Sequence, residues 1–232
     1  MRNSWGRFLM RSASLLLIVY RGELKRNMVN QPKTTKPSSV VWQDGHVSLE
    51  DRAVLLGQRP ATVWLTGLSG AGKSSLAFAL EHHLTGKGHA CFVLDGDNVR
   101  HGLNRDLGFS AEHRTENIRR IAEVARLMND AGLVVFSAFI SPYRADRELA
   151  RQIIGEDRFI EVYVATPMVI CEQRDVKGLY RRARSGEIAD FTGISAPYEP
   201  PENPMATIDT SLTTLDVASA QLAQIFMPRL RF

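Results

Sequence analysis

Cysteine is scarce in this chain of 232 residues: Cys91 and Cys171 stand far apart, with no metal-ligand spacing around either. That pattern argues against a disulfide framework or a cysteine-built zinc site, and predicts two core thiols in a reducing compartment. An excess of one charge is also missing from most of the chain. Residues 1–30 hold six Lys/Arg and one acidic residue, so of 29 basic and 25 acidic side chains, 23 and 24 remain for residues 31–232. A near-neutral body predicts no groove for nucleic acid. Long apolar runs are absent too: the run at residues 15–20 is far too short to span a bilayer, so no stable membrane anchor is expected. No small-residue cleavage site follows it at a convincing distance, which argues against a secretory leader. The opening stretch MRNSWGRFLMRSASLLLIVYRGELKRN reads either as a basic tail or as an overextended start with Met28 as the true first residue. Residues 28–39, MVNQPKTTKPSS, follow as a polar linker with two prolines. Residues 1–40 are thus expected to be an extension and residues 41–232 the working domain.

What is present is enough apolar material, 44% of the residues, for one sizeable core. From residue 62 onward short apolar runs alternate with helical patterns and nothing repeats, which is the organisation of a wound α/β domain. Strands are expected at residues 62–66, 90–95, 133–139, 158–165 and 206–209, giving a five-stranded parallel sheet covered on both faces. Helices are expected to begin at Lys73, Ser110, Pro142, Pro167 and Leu215. The last is introduced by Thr213 and carries Leu215, Ala218, Leu222 and Ile225 at helical spacing, as a packing element. Residues 175–204 hold Lys177, Arg181, Arg182 and Arg184 and then turn residues, the composition of a mobile surface segment.

The stretch TVWLTGLSGAGKSS carries Gly67, Gly72, Lys73 and Ser74 in the pattern G-x-x-x-x-G-K-[ST], between an expected strand and an expected helix. The glycines let successive N–H groups converge on phosphate, and the helix N-terminus adds positive potential. Lys73 is suited to the β- and γ-phosphates of ATP, and the Ser74 hydroxyl to Mg²⁺. A switch GTPase would need a base-reading N-K-x-D, which is absent, and the D-x-x-G at residues 175–178 lies in the basic segment. A motor or transporter ATPase would need more chain than one compact domain. A small-molecule kinase fits best, with a nonenzymatic nucleotide-binding regulator as the distant alternative.

Chemistry in a parallel sheet gathers at the C-terminal ends of the strands. The second expected strand runs into LDGDNVRHGL, which brings Asp95, Asp97 and Arg100 to that edge. Asp97 can orient the acceptor hydroxyl and take its proton late, or hold a water on Mg²⁺; Asp95 can do the latter or brace the loop. In LGFSAEHRTENIRR, Arg114 and Asn117 share a helix face suited to an anionic acceptor, and Phe109 offers a flat surface to a base. Solvated arginines and a hydrophobic staple remain the plainer reading at this point. Ser141 before Pro142 reads as a helix cap that also borders the acceptor site. The basic segment can close over bound nucleotides or remain a solvated face.

Taken together, GLSGAGKS, LDGDNVRHGL, LGFS with RTENIRR, AFISPYR, RFIEVYV, KGLY, and FTG followed by PYE closely resemble the adenylylsulfate kinases of sulfate assimilation, from about residue 41 to about 204. The resemblance implies a three-layer P-loop nucleotide-kinase-like fold, a cytoplasmic homodimer, and transfer of the ATP γ-phosphoryl to the 3′-hydroxyl of adenosine 5′-phosphosulfate. It implies that Gly67, Leu68, Ser69, Gly70, Ala71, Gly72, Lys73, Ser74 and Ser75 hold ATP phosphates, with Arg174 near the ATP adenine and Ser74 and Asp97 at Mg²⁺. Acceptor contacts are implied for Asp95, Arg100, Phe109, Arg114, Asn117, Ile140 and Ser141, and from a closing lid for Lys177, Leu179 and Phe191. Lys73, Asp97 and Ser141 form the implied catalytic set. The family often assigns the serine matching Ser141 a phosphoserine intermediate; two nucleotides held in line need no covalent relay, so direct transfer is the preferred expectation. Departures from the family pattern are few: Ser75 for threonine, Val176 for proline, and Ser195 and Ala196 for an acidic residue and a serine. No second domain of the ATP sulfurylase type is seen, so a free kinase is expected.

Overall fold

The computed structural model describes residues 40–41 and 43–232. The expectations for the basic tail, the Met28 start and the linker at residues 28–39 fall outside the described residues. The chain divides into units at residues 1–44 and 45–232, and the second holds every element that follows. Its strands are β1 Thr62–Thr66, β2 Cys91–Asp95, β3 Val134–Ala138, β4 Phe159–Val164 and β5 Ala206–Ile208. They form one sheet in the order β2-β3-β1-β4-β5, every neighbouring pair parallel. The five-stranded parallel sheet expected from the sequence is therefore present.

The helices are α1 Leu49–Leu56, α2 Lys73–Thr85, α3 Ala111–Asp130, α4 Arg144–Ile154, α5 Met168–Arg174, α6 Leu179–Arg184 and α7 Leu215–Leu230, with a 3₁₀ turn at Asn98–His101. Strand alternation feeds two cores. Val63, Leu65, Phe136 and Val162 pack with Leu76, Leu80, Leu222 and Phe226 of α2 and α7 on one face. Trp64, Leu94, Val135 and Phe159 pack with Ile118, Ile121, Ala150 and Ile154 of α3 and α4 on the other. All residues of β1 and β3 are buried, as helices on both faces require.

This strand order creates the crevice that holds the site. The chain runs from β1 out to β2, returns through β3 beside β1, and then crosses to β4 on the other side. The loops after β1 and β3 consequently leave the sheet in opposite directions, opening a gap at the carboxyl ends.

Several local expectations need correction. The helix expected at Pro142 starts at Arg144, with Tyr143 at the cap position. The last helix is capped by Thr214 instead of Thr213, through the bond from Val217 N to Thr214 Oγ1 at 3.4 Å. Its buried face runs through Ala218, Leu222, Phe226 and Leu230 while Leu215 and Ile225 are exposed, because the seam on α2 follows the deeper residues. Helix α1 was not anticipated, although Ser48 and Asp51 make a reciprocal capping box and Gly57 ends the helix at φ 61°. Segment 175–204 is not wholly superficial: Tyr180, Ala183 and Phe191 are buried in the first core. Cys171 is buried, as expected, but Cys91 is only half-buried on edge strand β2, and both thiols are free.

Candidate active site

The loop after β1 earns its glycines twice. A Cβ on Gly67 (φ 154°) would lie 2.4 Å from the Val164 carbonyl oxygen, and one on Gly72 (φ 95°) would lie 2.9 Å from Thr210 Oγ1. Only glycine lets the backbone turn this close to the ends of β4 and β5. The loop carbonyls are then held one after another. Lys73 Nζ donates to Gly67 O (2.9 Å) and Leu68 O (2.7 Å), and the Tyr180 hydroxyl donates to Ser69 O (2.9 Å). Arg174 Nη1 donates to Gly70 O (3.2 Å), and Thr166 and Thr210 donate to Ala71 O (3.0 and 2.8 Å). Because each peptide is planar and trans, a carbonyl tied outward sends the N–H of the same peptide the other way. The Ala71 N–H is spent within the loop on Leu68 O (3.2 Å), and the N–H groups opposite the other clamped carbonyls are the backbone donors the loop can offer an anion.

Lys73 is buried, and burial lowers its ammonium from the usual 10.5 to about 8, against the opposing pull of Cys171 and Asp95. Beside it, Ser74 Oγ donates to Asp95 Oδ2 at 2.6 Å. The second Asp95 oxygen accepts from the N–H groups of Asp97 (3.0 Å) and Asn98 (3.2 Å), so the carboxylate is fixed at the end of β2. A hydroxyl and a carboxylate are hard oxygen donors suited to Mg²⁺, but no cluster of three or more His, Cys, Asp or Glu for a metal exists among the described residues. A cation here would complete its shell from water and phosphate oxygens. Asp97 does not join the Ser74 pair: its exposed carboxylate meets the Lys177 ammonium, which bridges segment 175–204 to the end of β2.

In the stretch that follows β2, Ser110 caps α3 by accepting from His113 N at 3.3 Å. Arg100 Nη1 donates to Leu107 O (3.0 Å) and Gly108 O (3.2 Å), and its guanidinium lies 4.4 Å over the exposed Phe109 ring. Arg114 Nε donates to Phe109 O at 2.9 Å, while its two terminal nitrogens reach Thr192 Oγ1 and Asp190 O. One arginine thus joins the Phe109 turn to the middle of segment 175–204. Asn117 is buried one helical turn on, its Oδ1 accepting from Asn104 Nδ2 at 2.9 Å. Leu179 begins α6 half-buried, and Phe191 lies beneath the segment, edge-on to Tyr180 at 5.0 Å. Ser195 Oγ accepts from Phe191 N at 2.9 Å, so the hydroxyl supplies an acceptor where the family pattern has a carboxylate. Gly193 packs that turn against Leu68, beside a cleft of about 540 Å³ bounded by Met168 and Tyr198.

The loop after β3 overturns the helix-cap reading of Ser141. Ser141 is buried with φ 40°, and its Oγ accepts from Trp64 Nε1 at 3.1 Å. The cap expected of it fails because tertiary partners compete for the residue: Trp64 takes the hydroxyl, and Arg147 Nη1 donates to the Ser141 carbonyl at 2.7 Å. The N-terminus of α4 is instead capped from outside, by Glu199 Oε2 accepting from Arg144 N at 2.7 Å. Ile140 borders the same loop, its carbonyl accepting from Thr66 Oγ1 at 2.7 Å.

Sequence reasoning missed Arg147, whose guanidinium also donates to Glu161 Oε1 and to Glu199 O, both at 2.8 Å. It missed the carbonyl clamps Tyr180, Thr166 and Thr210 as well. The only local signal for them was composition: a tyrosine inside a charged run, and single threonines just after β4 and β5.

A glycine loop of clamped carbonyls, a lysine and a metal-type hydroxyl at the switch point of a parallel sheet define a P-loop phosphotransferase of the nucleotide-kinase type. A family model described as adenylylsulphate kinase matches residues 59–209. The adenylyl-sulfate kinase of Shewanella amazonensis is 58% identical over 183 residues, covering 79% of this chain and 92% of that protein. That of Vibrio cholerae is 53% identical over 194 residues, covering 84% and 90%. The Mycobacterium tuberculosis APS kinase CysC, solved with AMPPNP and APS, superposes with a TM-score of 0.70 at 47% identity, covering 73% of this chain and 98% of that one. The chain belongs to the adenylylsulfate kinase family.

Proposed function

We propose that the chain transfers the γ-phosphoryl group of ATP to the 3′-hydroxyl of adenosine 5′-phosphosulfate, giving 3′-phosphoadenosine 5′-phosphosulfate and ADP, in sulfate assimilation. The observation that carries this reading is the P-loop, its carbonyls clamped and its lysine buried, in one domain with a cluster in which Arg100 lies over Phe109, Arg114 bonds the Phe109 carbonyl and Asn117 accepts from Asn104. Family membership supplies the identity of the acceptor, and the relative solved with AMPPNP and APS supports a site for two nucleotides.

In the proposed reaction the P-loop N–H groups and Lys73 hold the ATP phosphates, and Arg174 braces the loop toward the ATP adenine. Ser74 and Asp95 are the side chains on which Mg²⁺ would rest, with Asp97 reaching it through water; the ion would neutralise charge on the β- and γ-phosphates. Phe109 stacks on the acceptor adenine, while Arg114 and Asn117 fix the acceptor's polar edge. A bond forms between the 3′-oxygen and the γ-phosphorus as the bond to the β,γ-bridging oxygen breaks, and Asp97 receives the hydroxyl proton late. Segment 175–204 acts as the lid, its Lys177 and Arg114 contacts marking the two places where it meets the acceptor side. Ser141 borders the acceptor and is not a relay. Its hydroxyl is enclosed and one lone pair is committed to Trp64, which opposes attack on a phosphorus.

Homodimer assembly and a cytoplasmic location belong to the same reading and rest on the family. No described helix is long and apolar enough to cross a membrane. The decisive experiment supplies Mg-ATP with adenylylsulfate, AMP, shikimate or gluconate and follows ADP release. Turnover is expected only with adenylylsulfate at micromolar concentration; comparable turnover with AMP, or none with any acceptor, rejects the assignment.

A further inference from the structure

Asn117 has an amide with two ends of nearly equal shape and opposite hydrogen-bond sense, one a pair of donors and one an acceptor. Which end meets a ligand decides what that ligand must present. Asn104 Nδ2 donates to Asn117 Oδ1 at 2.9 Å, inside the protein. Asn117 Nδ2 has no hydrogen-bond partner among the described residues and is not among the enclosed unpartnered atoms, so it is the end left to solvent.

We infer that Asn104 is a positioning residue for acceptor recognition: by engaging the Asn117 carbonyl, it presents the Asn117 N–H₂ group to the acceptor nucleotide. The inference rests on the reading of Asn117 as an acceptor contact and goes beyond it, because it fixes the sense of that contact. The ligand atom opposite Asn117 must carry a lone pair, as a phosphosulfate oxygen, a ribose oxygen or a ring nitrogen does.

Asn104 is suited to this task and poorly suited to a purely structural one. It is fully buried, and its backbone is locked by bonds from Asn104 N to Val99 O (2.9 Å) and from Leu107 N to Asn104 O (3.1 Å). That turn also carries Arg100 and runs into Phe109, so Asn104 is anchored in the acceptor-side frame. Its Oδ1 is enclosed without a partner, a cost that an apolar residue at the same place would not carry. The reverse arrangement, with both amides turned over, would enclose the Asn104 N–H₂ group instead. Buried donors without partners are tolerated less well than under-satisfied carbonyls, so the observed sense is the stable one.

The test uses the full chain and four variants: Asn104→Asp, Asn104→Ser, Asn117→Ala, and Asn104→Asp combined with Asn117→Ala. Asn104→Asp keeps the shape but offers only acceptors, which repels the Asn117 carbonyl and turns its amide over. The expected result is a rise of about tenfold or more in the adenylylsulfate KM, equivalent to about 1.4 kcal/mol, with the ATP KM changed less than about twofold. Asn104→Ser shortens the side chain so that its hydroxyl no longer reaches the Asn117 carbonyl, without burying a charge, and a rise of about three- to tenfold is expected, as for one lost hydrogen bond. It decides the matter if the aspartate variant does not fold. In the Asn117→Ala background, Asn104→Asp should change the acceptor KM by less than about twofold. The inference is overturned if neither Asn104 variant moves the acceptor KM, if the ATP KM rises equally, or if the full effect persists without Asn117. An unchanged acceptor KM in Asn117→Ala alone overturns instead the placement of Asn117 at the acceptor, and the two failures are thereby distinguished.

Discussion

Arg147→Met is the perturbation that most directly tests how the acceptor side is built. The guanidinium is 3% exposed and bonds Glu161, the Ser141 carbonyl and the Glu199 carbonyl, all within 2.8 Å. Methionine fills much of the volume and supplies none of the donors. Glu161 on β4 then keeps only Arg151 Nη2, at 3.5 Å. Removing one partner of a buried ion pair costs about 3–5 kcal/mol, and the residual Arg151 contact puts this case near 3. At about 2–4 °C per kcal/mol for a domain of this size, the melting temperature should fall by ~6–12 °C. Thermal melts followed by circular dichroism read this directly. Pairing Arg147→Met with Glu161→Leu should recover most of the loss, because the uncompensated carboxylate, more than the missing contacts, is the main cost. A fall below about 3 °C in the single variant, or a double variant no more stable than it, would refute the reasoning.

Ser141→Ala should retain substantial turnover while losing some stability, since the Trp64 indole N–H is left enclosed without an acceptor at a cost of about 1–3 kcal/mol. Near-complete loss of activity in a folded variant would restore the covalent relay. Lys73 gives a pH-dependent outcome. Its folded pKa of about 8 lies below its usual 10.5, so the cost of burying the ammonium is full below about pH 8 and is relieved as pH rises toward 10.5. Nucleotide phosphates favour the charged form, so ATP binding should take up close to one proton near pH 9 and far less near pH 7. Calorimetry in buffers of different ionisation enthalpy measures the uptake, and equal values at both pH settings would show that burial does not depress this lysine.

The parts legible in the sequence are those whose chemistry needs fixed local spacing. Gly67, Gly72, Lys73 and Ser74 are such a set, and a strand before them and a helix after them sufficed to locate the crevice. The carbonyl clamps were illegible because Tyr180, Thr166, Arg174 and Thr210 come from separate stretches and act only once the sheet brings them together. Ser141 illustrates a local rule overridden: serine before proline favours a cap, but Trp64 on a neighbouring strand and Arg147 one turn into α4 claim its two oxygens. The counting of arginines in residues 175–204 likewise described the outer surface of that segment and overlooked Tyr180 and Phe191 beneath it.

The anchors on either side of that segment explain where the chain tolerates change. Arg174 is tied to Gly70 and Thr210 before it, and Glu199 and Pro200 are tied to Arg144 and Arg147 after it. Val176, Ser195 and Ala196, three of the four departures from the family pattern, all fall between those moorings. Those three positions can change without touching the strands, whereas Tyr180, which ties the Ser69 carbonyl, and Phe191 against it are set in the core, so the interval is replaceable on its outer side and pinned to the cradle on its inner side.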